Sequence, residues 1–132
     1  MVPTREGISD PVRVLVVDED SDVLALTAEF LEAEAPGIDV ATAASAAEAL
    51  EYVNAEPVDA LVTDLVMPEK NGVELAAAVH ERDPDLPCVL YTARDRETVA
   101  AEFDTTLSGF VRKRTGTDQY AELASVVREL AD

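Results

Sequence analysis

The stretch Asp59-Ala60-Leu61-Val62-Thr63-Asp64-Leu65-Val66-Met67-Pro68, continued by Glu69-Lys70-Asn71-Gly72, decides how this chain is read. Ala60 to Thr63 is short and apolar, the pattern of a strand buried on both faces. It delivers a single carboxylate, Asp64, to its C-terminal edge. Pro68 then breaks the chain, and Asn71-Gly72-Val73-Glu74 restarts it as a helix with Leu75, Ala76 and Val79 inward. A lone acid so placed stands in a loop-lined cleft, where carboxylates usually serve chemistry.

The same alternation extends in both directions. Val12 to Val17 is an apolar, β-branched strand that ends in Asp18-Glu19-Asp20. From Ser21 to about Glu34, Val23, Leu26, Thr27, Phe30 and Leu31 recur at helical spacing, and the pattern stops before Pro36-Gly37. Ile38 to Ala43 reads as a second strand. Ser45-Ala46-Ala47-Glu48 is a capping-box pattern, opening a helix with Ala46, Ala49, Leu50 and Val53 on one face. Pro87 to Tyr91 gives a fourth strand, followed by Thr92 and a short helix around Glu97 to Phe103. Gly109 to Arg112 gives a fifth, ending at Lys113. Thr117 caps a last helix carrying Tyr120, Leu123, Ala124, Val127 and Leu130. Five strands alternating with five helices call for an α/β fold, a doubly wound parallel sheet covered on both faces. Residues 1–11 read as a flexible tail and 12–131 as one domain.

Charge sets the environment. Of 132 residues, 28 are acidic and 10 basic, a formal charge of −18, and only Lys70 and Lys113 are lysines. Such a charge repels itself in dilute buffer. It is tolerable where the Debye length falls to roughly 3 Å, near 1 M salt. With scarce lysine and abundant Ala, Val and Thr, the composition is that expected of a protein working in concentrated salt, with an acidic domain of ordinary salt as the alternative. The charge argues against a nucleic-acid surface, since phosphate contacts need a basic patch. The single Cys88 excludes an internal disulfide and reads as a small buried apolar residue. No apolar run approaches a membrane span and no leader is visible, so a cytoplasmic location is expected. His80 reads as an exposed helix-end residue with no ligand role. Arg94 and Arg96 read as surface charges or partners for acidic groups.

In a doubly wound sheet the ligand site lies outside the carboxyl ends of the strands. Asp18, Glu19, Asp64, Thr92 and Lys113 all fall on that edge. Three carboxylates held together resist ionising unless a cation neutralises them. Magnesium suits such a set, taking one or two carboxylates with waters and phosphate oxygens. An exposed Asp beside that ion is a phosphoryl acceptor, with Lys113 and the Thr92 hydroxyl for two of the phosphate oxygens. Read singly, Asp18-Glu19-Asp20 also suits a helix cap, Thr92 a turn and Lys113 an ion-pair partner.

Four segments taken together, Val14 to Asp20, Asp64 to Pro68 with Asn71-Gly72, Tyr91-Thr92-Ala93 and Phe110 to Lys113, resemble the receiver domain of two-component response regulators. The resemblance covers Pro11 to Leu130. It implies a flavodoxin-like sheet of strand order 2-1-3-4-5, with Asp64 accepting a phosphoryl group from a histidine kinase or phosphotransfer protein. It further implies Mg2+ held by Asp18, Glu19, Asp64 and the Val66 backbone carbonyl, and a switch formed by Thr92 and Phe110 that signals to a downstream protein or covalently linked effector domain. The segment Lys113 to Leu123 is similar to receiver segments of haloarchaeal multidomain sensor kinases.

Three features depart from the family pattern. Glu19 stands where a second aspartate is usual, and its extra methylene bears on an ion that demands near-ideal geometry. Arg114 stands where a cis proline is usual. A non-proline cis bond costs about 2.5–4 kcal/mol, so a trans loop is expected. Val66 and Arg94 occupy the tuning positions, and a valine positions no hydrolytic water, so a long-lived phosphoryl group is expected. Val66 also stands where a magnesium-dependent phosphohydrolase needs a second Asp, so the domain is not expected to be an enzyme in its own right. The isolated glycines form no nucleotide-cradling loop. The alternative kept open is a pseudo-receiver, an interaction module that retains the fold without the chemistry.

Overall fold

A computed structural model describes residues 11–94, 97, 108–114 and 116–131. The expected tail falls almost wholly outside these residues, as does the helix expected around 97–103 apart from Glu97. The strands are β1 (Val12–Val17), β2 (Ile38–Ala43), β3 (Ala60–Thr63), β4 (Cys88–Thr92) and β5 (Gly109–Arg112). Among the described residues the helices are α1 (Ser21–Glu34), α2 (Ala46–Ala55), α3 (Gly72–Arg82) and α4 (Asp118–Ala131). All five strands pair in parallel in the order β2-β1-β3-β4-β5.

Strand alternation divides the interior in two. Val14, Val16, Val62, Val89, Tyr91 and Val111 face α1 and α4, meeting Leu24, Leu31, Leu123 and Val127. Leu15, Val17, Leu61 and Cys88 face α2 and α3, meeting Ala46, Ala49, Leu75 and Val79. This two-sided burial explains the unbroken apolar runs of the strands.

Local chemistry fixes the helix starts. Asp20 caps α1, accepting from the N–H of Asp22 and Val23 at 2.9 and 3.3 Å. Ser45 accepts from Glu48 N at 3.1 Å, but the Glu48 carboxylate accepts from Ala44 N at 3.0 Å instead of closing on the cap residue. At α3 the box is complete: Asn71 and Glu74 each accept from the other's N–H at 2.8 Å.

One inward residue differs from expectation. Leu26 is 48% exposed, whereas Leu24 is buried with Thr27 and Leu31. Leu24, Thr27 and Leu31 follow the i, i+3, i+7 stripe; two positions on, Leu26 turns about 200° away. Thr27 is 1% exposed, and among the described residues its Oγ1 has no hydrogen-bond partner. A buried orphan hydroxyl costs about 1–3 kcal/mol, whereas an apolar group of like shape does not carry that cost. Thr27→Val is therefore expected to stabilise the fold by about 1 kcal/mol, read as a higher urea midpoint at unchanged slope.

Candidate functional site

The strand order reverses between β1 and β3, which places Asp18 and Asp64 side by side at the crevice. Register does the rest: Val17 pairs with Thr63, so the residues that follow both strands leave the sheet at one level. Asp64 N donates to Val17 O at 3.0 Å, and Asp18 N to Ala43 O at 3.2 Å. Thr92 pairs with Arg112, which brings Lys113 to the same edge, and Lys113 N donates to Thr92 O at 2.8 Å.

The centre of the site is one ammonium between two carboxylates. Lys113 Nζ lies 2.7 Å from Asp18 Oδ2 and 3.3 Å from Asp64 Oδ2. Asp18 is 4% exposed, and its other oxygen accepts from Asp20 N at 2.9 Å. Asp64 Oδ1 accepts from Leu65 N at 2.8 Å, leaving the side chain open on its outer side. Glu19 is exposed. Among the described residues, no group of three or more His, Cys, Asp or Glu side chains is arranged to hold a metal ion. Two carboxylates sharing one cation are nevertheless hard oxygen donors of the kind magnesium takes, with waters completing its shell. Asp18 and Asp64 fit such an ion on donor chemistry.

Gly72 is required by close approach. A Cβ there would stand 2.2 Å from the Asp64 carbonyl oxygen and 3.0 Å from its carbon. That carbonyl accepts from Thr63 Oγ1 at 2.9 Å, and Gly72 N donates to Leu65 O at 2.9 Å. Between them, Glu69 adopts a left-handed φ of 70°, with Lys70 N donating to Pro68 O at 2.8 Å. This is a tight turn of the strained γ kind. Val66 projects beside the site, 56% exposed.

Thr92 is 2% exposed, and its Oγ1 accepts from Arg94 N at 3.4 Å. Phe110 is half-buried against a small cluster of Leu65 and Leu90 with Val73. Among the described residues no peptide bond is cis, and Arg114 uses what a proline lacks: its N–H donates to Gln119 Oε1. Gln119, buried at the start of α4, donates through Nε2 to Gly116 O at 3.1 Å, and the Arg114 guanidinium pairs with Glu122 at 3.0 Å. Reading the sequence did not find Gln119; its signal was a non-proline residue after the lysine with an amide five positions on.

Tyr91, next to Thr92, carries no role that the sequence alone assigns. It is buried, with Lys113 Nζ over its ring at 5.4 Å from the centroid. Burial pushes the Tyr91 phenol well above its ordinary range; Tyr120 and Asp18 add to this, and Arg114 opposes it.

His80 corrects an expectation. It is half-buried rather than exposed, its Nε2 2.9 Å from Leu86 O and 3.6 Å from Cys88 Sγ. The turn after α3 folds back, with Leu86 N donating to Asp83 O, and lays Leu86 against the helix end. Cys88 is buried as expected, and burial, with Asp83 nearby, pushes its thiol up to about 12. The folded state thus keeps the proton that the unfolded chain releases above pH 9. Stability is fully present below about pH 9 and falls as pH rises toward 12, by about 1.4 kcal/mol per pH unit for this group. Denaturant midpoints between pH 8 and 11 are expected to drop, and to drop less in Cys88→Ala.

The family model described as response regulator receiver domain matches residues 14–125. The chain belongs to this family. Receiver-domain relatives include the transcriptional regulatory protein PrrA of Mycobacterium tuberculosis, 37% identical over 124 residues, covering 94% of this chain and 48% of PrrA. The chain thus spans about half the length of that regulator. Among solved structures, a sensor protein from Polaromonas sp. JS666 is 31% identical with a TM-score of 0.80, covering 92% of this chain and 96% of that one. Response regulator protein TrrA of Thermotoga maritima, solved in complex with Mg(2+)-BeF, is 28% identical with a TM-score of 0.75, covering 89% and 97%. Among the described residues, no helix of this receiver domain is long and apolar enough to cross a membrane.

Proposed function

We propose that this receiver domain accepts a phosphoryl group on Asp64 from the phosphohistidine of a sensor kinase or phosphotransfer protein, and that Mg2+ supports the transfer. The observation that carries the reading is the Lys113 ammonium shared by the Asp18 and Asp64 carboxylates at 2.7 and 3.3 Å. An Asp64 oxygen attacks phosphorus; the P–N bond breaks, and its electron pair returns to the imidazole, which takes up a proton. Asp18 and Asp64 would hold the ion, with Glu19 and the Val66 carbonyl completing the protein's share. When bound, the ion offsets the charge of the incoming phosphate. Lys113 follows the negative charge from the carboxylate to a phosphoryl oxygen, and the Thr92 hydroxyl donates to another. Thr92 and Phe110 then form the switch that a downstream protein or linked effector domain reads.

The apolar Val66 side chain at the mouth offers no group to orient a hydrolytic water, which supports a long-lived phosphoryl group. The charge of −18 with two lysines supports work in concentrated salt, in a cytoplasm of that kind, and argues against direct nucleic-acid binding. The domain acts as a phosphoacceptor rather than as a free-standing enzyme, over residues 12–131.

The test is intact mass after incubation with acetyl phosphate in concentrated potassium chloride, with and without magnesium. Gain of one phosphoryl group only with magnesium supports the reading. No gain in folded protein favours the pseudo-receiver, an interaction module for which exposed Glu19 is the structural argument.

A further inference from the structure

We infer that Tyr91 is a positioning residue for Lys113, its ring face supporting the ammonium that Asp18 and Asp64 hold. Lysine carries a point charge on a flexible four-carbon stem, so its placement depends on what surrounds it. Here Asp18 and Asp64 hold Nζ at 2.7 and 3.3 Å, and the Tyr91 ring lies beneath it at 5.4 Å. An aromatic face attracts a cation without offering a hydrogen-bond acceptor that would compete with an incoming oxygen. The ring itself is fixed. Tyr91 is buried in one core cluster with Tyr120, and Tyr120 stacks on Phe30 with centroids 5.0 Å apart and planes at 13°. Three aromatics from α1, α4 and β4 thus share the core cluster on which the one lysine of the site rests.

The inference rests on the receiver reading, and its test separates the two. The chain has only two lysines, Lys70 and Lys113, so lysine labelled with carbon-13 at Cε gives two signals. Lys70 is exposed and serves as the reference. The expected result is a Lys113 Hε signal shifted upfield by the ring in the wild type, retained in Tyr91→Phe and moved to the Lys70 position in Tyr91→Leu. In parallel, the rate of phosphorylation by acetyl phosphate with magnesium is expected to fall about fivefold in Tyr91→Leu and to be restored in Tyr91→Phe. Tyr91→Met serves if the leucine variant does not fold. A wild-type Lys113 signal without the ring shift, or a leucine variant phosphorylated at the wild-type rate, overturns the inference. If the wild type itself takes no phosphoryl group, the receiver reading fails, and the ring shift alone decides whether Tyr91 positions Lys113.

Discussion

Asp64→Asn is expected to abolish phosphoryl gain while leaving the fold at least as stable as the wild type. The amide lacks the anionic oxygen that attacks phosphorus, and no neighbouring group can replace it: Asp18 is buried, with one oxygen on Lys113 and the other on Asp20 N. Stability follows from the charge arrangement. In the wild type one ammonium serves two carboxylates. With residue 64 neutral, Lys113 and Asp18 form a simple pair, and one repulsion is removed from a chain of charge −18. The Leu65 N–H keeps an acceptor in the amide oxygen. Intact mass and a urea titration on one preparation check both parts. Phosphoryl gain in Asp64→Asn would move the acceptor elsewhere, and a marked loss of stability would show that Asp64 serves chiefly as a structural partner of Lys113.

The second large effect is expected at Gly72. In Gly72→Ala the new Cβ meets the Asp64 carbonyl oxygen at 2.2 Å and Leu90 Cδ1 at 3.1 Å. The leucine tip can yield; the carbonyl cannot, because it belongs to the backbone and holds the Thr63 hydroxyl. Relief requires α3 or the turn after β3 to move. Overpacking of this kind costs about 1–3 kcal/mol and occasionally more, and a backbone contact belongs at the upper end. Better helix propensity returns less than about 1 kcal/mol. The expected net loss is about 2–3 kcal/mol, with a large fall in phosphorylation rate, since a displacement of about 1 Å at a reacting group can cost about 100-fold. A variant of wild-type stability and rate would contradict the close approach.

The strands and their edge were legible because burial on both faces writes itself as uninterrupted apolar runs, and turn residues punctuate them. Asp18, Asp64, Thr92 and Lys113 could be placed at one edge because a parallel sheet leaves no other arrangement. What sequence could not supply was partnership at a distance. Nothing local marks Tyr91 as the ring under Lys113, since it also fits as an ordinary strand aromatic. Gln119 reads as a surface residue of a polar first turn until its carbonyl is found on the Arg114 N–H. Leu26 carried the right hydrophobicity on the wrong side of α1, where adjacent apolar residues blur the stripe. His80 read as exposed because its partner, Leu86 O, arrives only after the chain has turned.

The bonds joining Arg114, Gly116, Gln119 and Glu122 have a mechanical consequence. They make the passage from β5 to α4 a clasp instead of a slack connection. Lys113 adjoins the clasp on one side and Tyr120 on the other. A partner that gripped the first turn of α4 and so changed how readily Lys113 leaves Asp18 would have its grip changed by an equal free energy when Lys113 is drawn away.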